Sequence, residues 1–77
     1  MNEVRVITSA PTSSGSVIAG AIQVGFRVSS GGIAAIGSVP ITDATPVNLE
    51  SLPLGGTYPA IAYTVSSGTL YILEVRE

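Results

Sequence analysis

The sequence predicts an all-β fold, a compact antiparallel β-sandwich or jelly-roll-like small barrel. Three observations carry that prediction. Nine Gly and five Pro are spread along 77 residues, and no stretch keeps apolar residues at helical spacing without interruption. Val, Ile and Thr are abundant between these breakers, and their branched side chains suit a pleated strand. Ser-Gly and Gly-Gly steps separate the apolar runs as turn signals. The length allows one domain, with residues 1–15 as an N-terminal arm and loop and residues 16–77 as the core.

The first strand is expected over 3–8, with Val4 and Val6 on one face and Glu3, Arg5 and Ile7 on the other. The segment 9–15 holds Pro11 and four hydroxyl residues and reads as a loop. Residues 16–29 carry Ile18, Gly20, Ile22, Val24, Phe26 and Val28 on one face. Fourteen residues are long for one strand, so Gly20 marks the expected bend or bulge. Ser29-Ser30-Gly31-Gly32 reads as a hairpin loop, followed by a strand of small residues over 33–39. Pro40 and Pro46 bracket a loop or edge segment over 41–45, and 46–49 is a short strand. Residues 50–59 are a long connection with two prolines and Gly55-Gly56.

Two strands close the chain. Over 60–65, Ile61, Tyr63 and Val65 alternate with Ala60, Ala62 and Thr64. After Ser66-Ser67-Gly68, residues 69–76 place Tyr71, Leu73 and Val75 opposite Leu70, Ile72, Glu74 and Arg76. Tyr71, Leu73 and Val75 suffice for an inward face and are the expected one, which leaves Leu70 and Ile72 on the other side. Ile22, Val24, Phe26, Ile61 and Tyr63 are the expected core. Val-Ser-Ser-Gly occurs at 28–31 and again at 65–68, which suggests two hairpins in two similar halves; a Ser- and Gly-rich β-protein also repeats such a turn by chance.

Composition excludes several classes of function. The chain has no His, Lys or Cys, so zinc and haem lose their usual ligands and no disulfide can form. Three arginines against five carboxylates, a net charge of −2, leave no basic footprint for nucleic acid. The longest uncharged stretch, 51–73, contains Pro53, Gly55, Gly56, Pro59 and Gly68, too many breakers for a lipid-exposed helix. No cationic start leads into an apolar run, so no signal peptide and no membrane partner are expected.

No catalytic, cofactor or metal set emerges. Serine catalysis lacks its base. Asp43 with Glu50, or Glu3 with Glu74, are conceivable carboxylate pairs, but the spacing aligns neither, and solvated surface charge is the ordinary reading. Gly15 and Gly20 mimic part of a phosphate loop, yet Ala21-Ile22 stand where the Lys and hydroxyl belong. Tyr58, between Thr57 and Pro59, is the candidate for an exposed ring contacting a ligand; a loop tyrosine sealing the end of a sandwich accounts for it equally well.

Surface chemistry points to association. Charged residues are 10% of the chain, well below the roughly 25–35% suited to an independent soluble surface. With Tyr71 and Leu73 turned inward, Leu70 and Ile72 would be left outside beside Ile7, an apolar patch that a neighbouring copy would cover. A homo-oligomer follows from this reading.

A resemblance extends it. Ala19-Gly20-Ala21 followed by Val24 and Phe26, then Gly37-Ser38-Val39-Pro40 and Pro46-Val47-Asn48-Leu49, resemble small β-rich proteins encoded among the structural genes of tailed phages. So do Ala60-Ile61-Ala62-Tyr63 and Gly68-Thr69-Leu70-Tyr71-Ile72. The resemblance spans residues 16–76. It implies a non-enzymatic virion protein, a capsid decoration or cement protein docking as an oligomer, with a trimer as the expected form on a virion, on the major capsid protein. A tail or baseplate accessory is the variant of this reading. A small glycan-binding or adhesin module is the rival, and it expects Tyr58 beside Asn48, Asp43 or Gln23.

Overall fold

The computed structural model describes residues 4–76. Its elements are β1 (Arg5–Ser9), β2 (Gly15–Val17), β3 (Gln23–Val28), β4 (Ile33–Ile36), β5 (Val39–Thr42), β6 (Val47–Leu49), a 3-10 turn (Pro53–Gly55), β7 (Ile61–Ser67) and β8 (Leu70–Arg76). The strands form two four-stranded antiparallel sheets, ordered β1-β8-β3-β6 and β2-β7-β4-β5. The fold is therefore all-β, as expected, and its two layers make it a small sandwich.

Alternation decides what lies between the layers. From the first sheet come Val24, Phe26, Val28, Leu70 and Ile72; from the second come Val17, Ala34 and Ile41. Ile61, Tyr63 and Val65 pack against this cluster while only partly buried. Of the expected core, Val24 and Phe26 are buried; Ile22, Ile61 and Tyr63 are half-buried. The expected split near Gly20 occurs between β2 and β3. Gly20 has φ +108°, and a Cβ there would lie 3.2 Å from Arg76 Nη1, so only glycine fits this crossing without strain.

The faces of the last strand are reversed from expectation. Leu70 and Ile72 are buried, whereas Tyr71 and Leu73 are about half exposed. The cause is Glu74 and Arg76, which share the inner face with Leu70 and Ile72. Arg76 is 8% exposed. Its Nε and Nη2 lie 2.8 and 2.7 Å from Glu74 Oε1, and Nη1 and Nη2 donate to the carbonyls of Ala19 and Ile18 at 2.9 and 2.5 Å. A charged pair with its donors satisfied can occupy an inner position, so charge alone did not mark the wet face.

The two Ser-Ser-Gly turns are not hairpins. β3 pairs with β8 rather than with β4, and β4 pairs with β7. Each turn hands the chain from one sheet to the other. The turns pack together: Ser29 N donates to Thr69 O at 2.9 Å and Thr69 N to Ser29 Oγ at 3.0 Å. A Cβ on Gly68 would come within 2.9 Å of Gly32 Cα, so both positions need glycine for close approach. Exchanging β3 with β7 and β4 with β8 turns one sheet order into the other, with β1 standing where β5 stands. The internal echo thus marks two sheets of matching topology.

Two smaller differences concern residues 37–42. The run 33–39 is broken by Gly37, at φ +58°, so Val39 begins β5 instead of ending the preceding strand. Pro40 lies within β5, tolerated because β5 is an edge strand.

Candidate functional site

The outer face of the first sheet follows from its registers. Val6, Thr8, Val75, Leu73, Gln23, Gly25 and Asn48 are paired across the strands on this face, as are Tyr71 and Arg27. Gly25 sits in its middle, opposite Leu73 on β8 and Asn48 on β6. A missing side chain there leaves a hollow. The hollow opens as a groove of about 480 Å³, lined among others by Thr8, Gly25, Arg27, Asn48, Tyr71 and Leu73. Asn48 Oδ1 lies 3.1 Å from where a Gly25 Cβ would be, so the amide leans over the glycine. Arg27 is the one charged residue among those lining the groove. A second hollow of about 640 Å³ adjoins it, bounded by Arg27, Tyr71, Val28, Ser29, Ser30 and Asp43.

This groove was not legible in advance. Its signal in the sequence is Gly25, a glycine inside a strand flanked by Val24 and Phe26, which marks a bulge or a close approach.

The residues expected at a site fall elsewhere. Tyr58 is half-buried. Its hydroxyl donates to Glu50 O, its N–H donates to Ala21 O at 2.8 Å, and its carbonyl accepts from Gly20 N at 2.9 Å. It closes the end of the sandwich, the alternative reading of that residue, and its hydroxyl is committed to the backbone. Leu70 and Ile72 are buried in the core of the chain itself, not on the surface where the apolar patch was expected. Ile7 pairs with Glu74 and so stands on the inward-facing side of β1, where the edge of the sheet leaves it 37% exposed.

Of the conceivable carboxylate pairs, Asp43 and Glu50 do not meet. Asp43 Oδ2 accepts from Gly31 N at 3.2 Å, at the β3–β4 turn. Glu50 follows β6 at the opposite end of β3, because Leu49 pairs with Val24. Glu74 is engaged by Arg76, and Glu3 lies outside the described residues. Among the described residues no group of three or more His, Cys, Asp or Glu could hold a metal ion. Gly15 lies in β2 with the Tyr63 hydroxyl over it, in a strand and not a phosphate-binding loop. No described helix is long and apolar enough to cross a membrane.

One exposed residue is held at a backbone cost. Leu54, in the 3-10 turn, has φ +59° and is fully exposed. The left-handed region costs a leucine roughly 1–2 kcal/mol. Leu54→Gly is therefore expected to raise stability by up to about 1 kcal/mol, since it relieves the strain and removes no packed side chain. Denaturant midpoints of the two proteins check this; a lower midpoint for the variant would mean that Leu54 is packed.

Fold and site together define a small two-sheet β-sandwich with a shallow groove on one outer face. No protein-family model matches the chain, and no curated protein or solved structure matches it either.

Proposed function

We propose that this protein is a non-enzymatic structural component of a phage virion, a capsid decoration protein that docks as a homo-oligomer on the particle. The observation that carries the reading is where the apolar side chains lie. Nine hydrophobic residues make the buried core, while ten large ones stay exposed among the described residues, on a chain with 10% charge. Such a surface favours burial against another protein.

Strand β1 is the place this favours. All five of its residues are exposed, it pairs with β8 alone, and Val6 and Ile7 are 62% and 37% exposed on its two faces. An edge strand open in this way is a template for a second chain. The virion setting rests on the resemblance of residues 16–76 to phage structural proteins. Leu54 adds a second contact, because a strained, fully exposed leucine is better suited to a partner than to the free monomer. A tail or baseplate accessory would use the same surfaces. The glycan-binding reading loses Tyr58 but has the groove over Gly25.

Light scattering tests the oligomer. The wild-type protein is expected near three chains of 7.8 kDa each. Val6→Thr with Ile7→Thr, which keeps strand propensity, is expected to release monomers. An unchanged mass in the double variant would remove β1 as the interface. A wild-type monomer at high concentration would confine assembly to the particle, and absence of the protein from purified particles would sink the virion reading.

A further inference from the structure

We propose that the groove over Gly25 is a subsite for an acidic sugar, a six-membered ring carrying a carboxylate within a glycan chain. The inference goes beyond the assembly reading and does not depend on it.

Shape comes first. Leu73 and Asn48 flank Gly25 on the neighbouring strands, so they stand two strand spacings apart, roughly 10 Å. The Asn48 amide leans over the glycine from one side, so a sugar ring enters this trough on the Arg27 and Tyr71 side of that amide. The groove is an open trough on a sheet face, suited to one unit of a longer chain, whereas sites for free small ligands enclose most of the ligand.

Chemistry comes second. Tyr71 is 50% exposed, and an exposed aromatic ring can stack on the C–H side of a sugar. The Asn48 amide supplies both a donor and an acceptor for adjacent hydroxyls. Arg27 pairs directly across from Tyr71, and a guanidinium binds a carboxylate with two parallel hydrogen bonds. Among the described residues, the side chains of Thr8, Arg27, Asn48 and Tyr71 make no hydrogen bond or ion pair. Their bonding capacity is therefore available to a ligand.

Charge selects the ligand class. Arg27 is the one charge lining this groove. Asp43 borders the adjoining hollow and disfavours a carboxylate on that side, so the acid group is expected on the Gly25 side of Arg27.

The test is titration of the ¹⁵N-labelled protein with D-glucuronate, D-glucose and acetate, followed by amide shifts. Glucuronate is expected to move Gly25, Arg27, Asn48 and Leu73, with glucose about tenfold weaker and acetate without effect there. Arg27→Gln should bring glucuronate down to the level of glucose. Tyr71→Leu should weaken both sugars, and Gly25→Val should abolish the response while the remaining spectrum stays folded. Four results would overturn the proposal. These are no shift at glucuronate concentrations on the order of 100 mM, an equal response to acetate (an adventitious ion only), an unchanged response in folded Gly25→Val, and groove shifts produced by protein concentration alone, which would make a second copy the occupant. Failure of these readouts on β3, β6 and β8 leaves the β1 oligomer test untouched.

Discussion

Replacing Arg76 with Met is expected to cost about 3 kcal/mol or more of folding stability. The guanidinium is nearly buried and joins three parts of the chain: Glu74 on its own strand and the carbonyls of Ile18 and Ala19 in the crossing between sheets. Its removal leaves Glu74 without its counter-charge at 13% side-chain exposure. Breaking a buried pair from one side costs about 3–5 kcal/mol, and the residual access to water places this case at the lower end. Two carbonyls also lose their donors, although solvent can reach that end of the sandwich in part. A small domain has only about 5–15 kcal/mol in total, so the variant should unfold at much lower denaturant. Urea midpoints at unchanged slope measure the loss. Glu74→Leu combined with Arg76→Met should recover part of it, because no lone charge remains. A loss below about 1 kcal/mol in the single variant would mean that Arg76 is a solvated end residue.

The second large effect separates the two faces of β8. Leu70→Ala is expected to cost about 2–5 kcal/mol, and Phe26→Ala about 3–5 kcal/mol, because both side chains are fully buried and leave cavities. Leu73→Ala, three residues further along on the opposite, half-exposed face, should cost roughly 1 kcal/mol or less. The contrast between Leu70 and Leu73 is the decisive comparison. A strand shifted by one residue inverts every side chain, so a larger loss at Leu73 than at Leu70 would reverse the register of β8 on β3. It would also restore Leu70 and Ile72 as outer residues.

Both predictions turn on positions where sequence and tertiary structure part company. The sequence by itself determined the all-β class, because breakers and turn residues recur too often for any helix longer than the single 3-10 turn. Period-two alternation around Val24, Phe26 and Val28 determined the face of β3, since no charge interrupts its apolar side. It also marked a break near Gly20, where a positive φ is needed, and left the segment beyond Pro40 as a loop or an edge, because proline lacks an N–H for a second neighbour.

Tertiary structure decided the remainder. Which face of β8 turns inward depended on Glu74 and Arg76 meeting each other and the carbonyls of Ile18 and Ala19, partners more than fifty residues away along the chain. Alternation alone leaves two apolar faces on that strand. The Ser-Ser-Gly turns read as hairpins because local chemistry reports only that a chain bends; pairing with β7 and β8 made them crossings between sheets. Tyr58 was open to two readings until the 20–22 segment came to lie beside it. The groove over Gly25 exists because β6 and β8 bring Asn48 and Leu73 to either side of a residue with no side chain, and cross-strand register is a long-range property that no single segment encodes.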